Sequence, residues 1–216
     1  MMMLKGQELV GKGSHRAVYR HPDDESLCVK VMIQDWRVAQ RRLRAHWFVR
    51  MCRPKWYFHE NLTEYRYAKK AERRLGEKAW SLIPKIHGLV DSDLGEGMVV
   101  DLVRDHDGRI SLTLEDYLRA HGLTEECQDA IDEMWVEFKR HKLFVQGRPS
   151  NLVLSLREDG TYHTIPIDGF AFPQLIPVAR WIPAVAGKKY RKAMSRQKMK
   201  IERILSQRES AQTNDV

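Results

Sequence analysis

The chain has 216 residues, 43% hydrophobic and 31% charged, a balance that suits one two-lobed domain or two small globular ones. Its net charge of +8 favours anionic partners such as nucleotide phosphates, nucleic acid or anionic lipid. No apolar run reaches the roughly 18 residues of a membrane span, and residues 1–10 lack the apolar stretch of a signal peptide. Three widely spaced cysteines (Cys28, Cys52 and Cys127) match neither a disulfide framework nor a metal-ligand spacing, so a reducing, cytoplasmic setting is expected.

Residues 7–33 read as three strands rich in β-branched residues, with a polar turn from Tyr19 to Glu25 between the second and third. Residues 34–57 interleave Arg37, Arg41, Arg42, Arg44, Arg50, Arg53 and Lys55 with Trp36, Trp47, Phe48, Trp56 and Tyr57. That mixture suits single-stranded nucleic acid, an anionic membrane surface, or an amphipathic helix with solvated arginines. Residues 60–76 carry a helical pattern ended by Gly76. Ile83–Val90 and Gly97–Val103 read as two further strands, joined by a turn from Asp91 to Glu96.

The second half is mainly helical. Thr113 caps a helix that ends at Gly122, with Asp116 in the position a capping box reserves for Glu or Gln. Thr124 opens a longer helix whose Ala130, Ile131, Met134, Trp135 and Phe138 fall at core spacing. Leu152–Leu154 and Thr164–Ile167 read as a small hairpin about Glu158-Asp159-Gly160. A loop runs to about Pro183, and residues 187–208 read as a basic helix. The order is thus α+β: a small antiparallel sheet with one helix over residues 1–103, then a reduced, mainly helical part over 104–216. It is the layout of a bilobal protein-kinase-like fold.

Several residues carry chemistry under that reading. Gly11-Lys12-Gly13 followed by Val18 resembles a kinase glycine-rich turn, G-x-G-x-x-G-x-V, whose backbone covers nucleotide phosphates. Arg16 stands where the third glycine would be, and taken alone the turn also fits a plain hairpin. Residues 6–12 approach a Walker A motif as well. Gly13 occupies the place of its hydroxyl residue and the loop enters a strand, which excludes it.

Lys30, between Val29 and Val31, is costly to bury without a partner, and Glu60 and Glu64 lie at i, i+4 on the next helix. Glu64 is the expected partner, because its neighbours Tyr65 and Ala68 should face the sheet. The backbone at Asp101 and Val103 would form the hinge that meets an adenine edge. Arg148-Pro149-Ser150-Asn151 leads into an apolar strand, and Asp168-Gly169-Phe170 follows the next strand. Asn151 and Asp168 are therefore the candidate magnesium ligands; each singly also suits a turn.

The aspartate that would act as general base five residues before Asn151 is replaced by Gln146. Arg104-Asp105-His106-Asp107 imitates that motif without its spacing to an asparagine.

The chain resembles the PhoP regulatory network protein family (the YrbL type), bacterial cytosolic proteins. The resemblance is carried by Gly11–Arg16, Cys28–Val31, Ile83–Gly88, Ser111–Leu114, Arg148–Leu152 and Leu175–Pro177, within residues 6–190. It implies a kinase-like fold and a regulatory context rather than a defined reaction. Three readings follow: an ATP- and magnesium-binding kinase-like protein with a regulatory or weak phosphotransferase role; a pseudokinase that works by binding, with a protein partner; and a basic-aromatic nucleic-acid binder.

Overall fold

A computed structural model describes residues 1–13, 15–33, 59–169 and 183–214. The basic-aromatic stretch 34–57, Ser14, Phe170 and Leu175-Ile176-Pro177 lie outside the described residues. The chain forms two compact units, one of Met1–Trp80 with Pro84–Leu102 and one of Ser81–Ile83 with Val103–Val216.

The first unit is an antiparallel sheet in the order β1-β2-β3-β5-β4, with one helix described beside it. Its strands are β1 (Leu9–Lys12), β2 (Arg16–Arg20), β3 (Leu27–Met32), β4 (Ile86–Ser92) and β5 (Gly95–Asp101), and its helix is α1 (Glu60–Leu75). Side chains alternate across a strand, and β3 is buried on both faces. Val29 and Val31 join Leu4 and Val99 in one apolar cluster. Cys28, Lys30 and Met32 therefore point to the opposite face.

The N-terminal segment closes the apolar side, a role not apparent from its composition. Leu4 is fully buried, and its amide and that of Lys5 donate to the Asp93 carboxylate at 2.7 and 3.1 Å. Two strand boundaries differ from the sequence reading. β4 starts at Ile86 rather than Ile83, because Pro84 has no amide for the ladder. The hairpin loop shrinks to Asp93-Leu94, since Asp91 pairs with Glu96 and the Ser92 hydroxyl donates to Gly95 O at 2.6 Å.

The second unit holds a three-stranded sheet, β6 (Leu112–Thr113), β7 (Leu152–Leu156) and β8 (Tyr162–Pro166), with helices α2 (Leu114–His121), α3 (Glu125–Arg140) and α4 (Pro183–Asn214). The expected hairpin thus gains a short third strand, and the basic helix is longer at both ends than residues 187–208. Thr124 accepts from the Cys127 amide at 3.2 Å, and all five expected core residues of α3 are buried. Thr113 accepts from the Asp116 amide at 3.1 Å. Asp116, one methylene shorter than Glu, accepts a hydrogen bond from the Thr113 hydroxyl instead of reaching back to the Thr113 amide. The Tyr190 hydroxyl donates to Phe138 O and Leu143 O at 3.0 and 2.9 Å, docking α4 on the end of α3.

Candidate functional site

Within the first unit, register decides what surrounds Lys30. Val18 pairs with Lys30 and Arg16 with Met32, while Lys30 pairs with Met98 on its other side. Directly paired residues point to the same face, so Arg16, Val18, Lys30 and Met98 share the face that carries α1. Lys30 is 5% exposed, and its Nζ lies 2.7 Å from Glu64 Oε1. Glu64 is 2% exposed, and its second oxygen accepts from Arg16 Nη1 at 2.6 Å. One carboxylate thus joins two buried cations on neighbouring strands.

Asn61, one turn earlier on α1, tightens the same junction. Its Oδ1 accepts from Arg16 Nη1 at 3.3 Å, and its Nδ2 donates to Lys30 O at 3.0 Å. Glu60 Oε2 stands 3.8 Å from Arg16 Nε at the edge of the cluster. Charge-assisted bonds of this kind are the strong ones, and they fix the helix against β2 and β3 together. The Cys28 thiol lies on the same strand face; burial pushes its pKa up to about 11, so it is held as a neutral thiol.

Lys30 and Glu64 are legible from residue type and spacing, whereas Arg16 reads in sequence as a missing third glycine and Asn61 carries no sequence signal. The signal was partly present: Arg16 lies two residues before Val18, hence on the same strand face. The partner of that face depended on the docking of α1.

The glycine turn is a closed hairpin. Gly11 pairs with Val18, and the Gly13 amide donates to Arg16 O at 2.8 Å. A methyl at Gly11 would meet no described atom within 4 Å, and one at Gly13 would stand 3.7 Å from Arg16 O. Neither glycine has a positive φ. Packing among the described residues therefore supplies no reason for glycine at either place.

The hinge candidates are already hydrogen-bonded in part. The Asp101 amide donates to Lys85 O at 3.0 Å and the Leu102 amide to Ser26 O at 2.8 Å. The Asp101 carboxylate is 2.7 Å from His87 Nε2. In the second unit Val103 O accepts from the Ser111 amide at 3.2 Å.

The second unit brings Gln146, Asn151, Asp168 and Gly169 together. Asn151 O accepts from the amides of Ile167 at 2.9 Å and Asp168 at 3.4 Å, and the Gln146 amide donates to Gly169 O at 3.1 Å. Gly169 has φ +72°, and a methyl there would stand 3.1 Å from Asn151 Nδ2. The left-handed backbone favours glycine, and a methyl would also press on the Asn151 side chain. The pair offers an amide oxygen and a carboxylate, the hard oxygen donors that suit magnesium.

The Arg104–Asp107 segment has a structural role instead. Asp105 Oδ1 accepts from Ser111 Oγ at 2.7 Å and from the Leu156 amide at 2.9 Å, anchoring a turn to β7. Among the described residues, no three His, Cys, Asp or Glu side chains are grouped to hold a metal ion, and no helix is long and apolar enough to cross a membrane.

The chain is 27% identical over 191 residues to "Uncharacterized protein YrbL" of Escherichia coli (strain K12), covering 84% of this chain and 79% of the relative. The same name and the same figures describe its similarity to a protein of Shigella flexneri. The family described as PhoP regulatory network protein YrbL matches residues 2–202. With nearly its whole length matched, the chain belongs to the PhoP regulatory network protein YrbL family.

Proposed function

We propose that this chain is a kinase-like protein that binds ATP and magnesium, with a regulatory or weak phosphotransferase role. The observation that carries the reading is the buried Lys30–Glu64 pair at 2.7 Å, between the third strand and the following helix. A lysine held in that way presents a fixed cation to nucleotide phosphates. Val18 pairs directly with Lys30, Gly11 pairs with Val18 on the other side of β2, and the two glycines leave room for a close approach. Asn151 and Asp168 would hold magnesium, which neutralises phosphate charge and takes its remaining ligands from phosphate and water. Asp101 and Val103 remain the candidate backbone contacts to the base.

A second reading, a pseudokinase acting as a binding module, is favoured by Gln146. A carboxamide cannot take a proton from an acceptor at neutral pH. Loss of a general base lowers rates by about 10²–10⁴-fold, so transfer would be weak.

The test is thermal unfolding with and without ATP and magnesium. At 100 times Kd, ligand adds about 2.7 kcal/mol, a rise of roughly 5–10 °C for a chain of this size. Lys30→Met and Asp168→Ala should each abolish most of that ligand-dependent rise. No rise in the wild-type chain refutes nucleotide binding. A rise without phosphate transfer to any acceptor favours the pseudokinase.

A further inference from the structure

The inner face of α1 offers the sheet little apolar surface. Its buried residues are Asn61, Glu64, Ala68 and Ala71. The two alanines, a methyl each, lie on the later turns, so the earlier turns meet the sheet through polar groups. Glu64 Oε1 accepts from Lys30 Nζ at 2.7 Å and Glu64 Oε2 from Arg16 Nη1 at 2.6 Å. The same Arg16 nitrogen donates to Asn61 Oδ1 at 3.3 Å, and Glu60 Oε2 stands 3.8 Å from Arg16 Nε. Three α1 side chains therefore converge on Arg16.

The backbone of Arg16 is fixed on both sides of β2. Its carbonyl accepts from the Gly13 amide at 2.8 Å, which closes the glycine turn. It pairs with Met32 of β3, and the Ile33 amide donates to His15 O at 2.9 Å beyond that pair. The guanidinium is thus an anchor that belongs to the sheet.

We infer that Arg16 is a positioning residue for Lys30: it keeps Glu64, and with it α1, in place while the Lys30 ammonium turns to a nucleotide phosphate. This rests on Lys30 meeting nucleotide phosphates, as proposed for the chain. A carboxylate as buried as Glu64 needs a cation. If Lys30 were its one cation, phosphate would have to draw that charge away, and binding would bear the cost. With Arg16 on the second oxygen, Glu64 keeps a charge-assisted bond as Lys30 moves. The residue that departs from the glycine pattern thereby serves the same site.

The experiment is isothermal titration calorimetry of the full chain with ATP and magnesium, well below its unfolding temperature. Arg16→Met should raise Kd at least about tenfold, the equivalent of one charge-assisted hydrogen bond. Arg16→Lys should return Kd to within about threefold of wild type, because the bonds to Glu64 and Asn61 leave from one nitrogen, which an ammonium replaces. In a Glu64→Gln chain, adding Arg16→Met should change Kd less than about twofold, since Arg16 acts through the carboxylate. Circular dichroism checks each fold before titration, and Arg16→Gln takes the place of Arg16→Met should the latter not fold.

Hydrogen exchange without nucleotide gives a second readout. Arg16→Met should speed exchange over residues 60–75 more than Lys30→Met does, because Lys30→Met leaves Glu64 and Asn61 on Arg16. Absence of ATP binding by the wild-type chain removes the phosphate reading, and this inference with it. Where the wild type binds, the inference alone is overturned by an unchanged Kd in Arg16→Met, the result of a purely structural arginine. A loss that Arg16→Lys does not recover also overturns it. So does an equal loss in the Glu64→Gln chain, which would make Arg16 a direct phosphate contact, or α1 exchange that responds to Lys30→Met as much as to Arg16→Met.

Discussion

Replacing Glu64 by Ala tests the junction between α1 and the sheet most directly. Its side chain is 3% exposed, and its two oxygens meet Lys30 Nζ at 2.7 Å and Arg16 Nη1 at 2.6 Å. Removing it leaves two buried cations where one carboxylate joined them. Breaking a buried pair in this way typically costs about 3–5 kcal/mol, a large fraction of the 5–15 kcal/mol that holds a domain folded.

Arg16→Met and Lys30→Met should cost less. Each leaves Glu64 with one cation, so the loss is about the 1.5–3 kcal/mol of a charge-assisted hydrogen bond, partly offset by the smaller desolvation of a methionine. Combining Arg16→Met with Glu64→Ala should therefore be milder than the sum of the singles, because it leaves Lys30 as the one cation stripped of the carboxylate rather than two. Urea unfolding followed by tryptophan fluorescence reads all four chains. If Glu64→Ala costs under about 1 kcal/mol, or the singles add, the carboxylate does not join the two cations in solution.

Two further outcomes concern packing and burial. Gly147 has φ +65°, and a methyl there would stand 2.8 Å from Trp135 Cζ2, so Gly147→Ala combines backbone strain with overpacking and should cost about 2–4 kcal/mol in urea; a loss under 1 kcal/mol would contradict the approach of Trp135. Burial pushes the thiols of Cys28 and Cys127 up to about 11 and about 12, from an ordinary value of 9.0. The folded state thus keeps protons that the unfolded chain releases, so this stability is complete below about pH 9 and is lost as pH rises through 11 to 12. In a Cys52→Ser chain at pH 8, no thiol should react with Ellman's reagent until urea unfolds the protein; a fast-reacting thiol would refute the burial of one of the pair.

Local features were legible from residue order alone. Gly76, Gly122 and Thr124 mark helix ends through groups within a turn of themselves, and the structure ends or starts a helix at each. The core stripe of α3 followed from its helical period, and the strands of the first unit from β-branched runs. The i, i+4 glutamates reduced the partner of Lys30 to two candidates, and the asparagine–strand–aspartate order placed Asn151 and Asp168 close in the chain's second half, where their backbones meet.

What remained hidden was long-range. Arg16 read as a missing glycine until register placed it on the face of Lys30 and α1 brought Glu64 and Asn61 to it, 48 and 45 residues away in sequence. The burial of Leu4 depended on Asp93, 89 residues distant. The basic helix was legible as composition, but its outward arc was set only when Tyr190, Gln197, Ile201 and Ile204 were buried. Periodicity names the residues that share a face, whereas the partner of that face is chosen by which distant surface removes it from water.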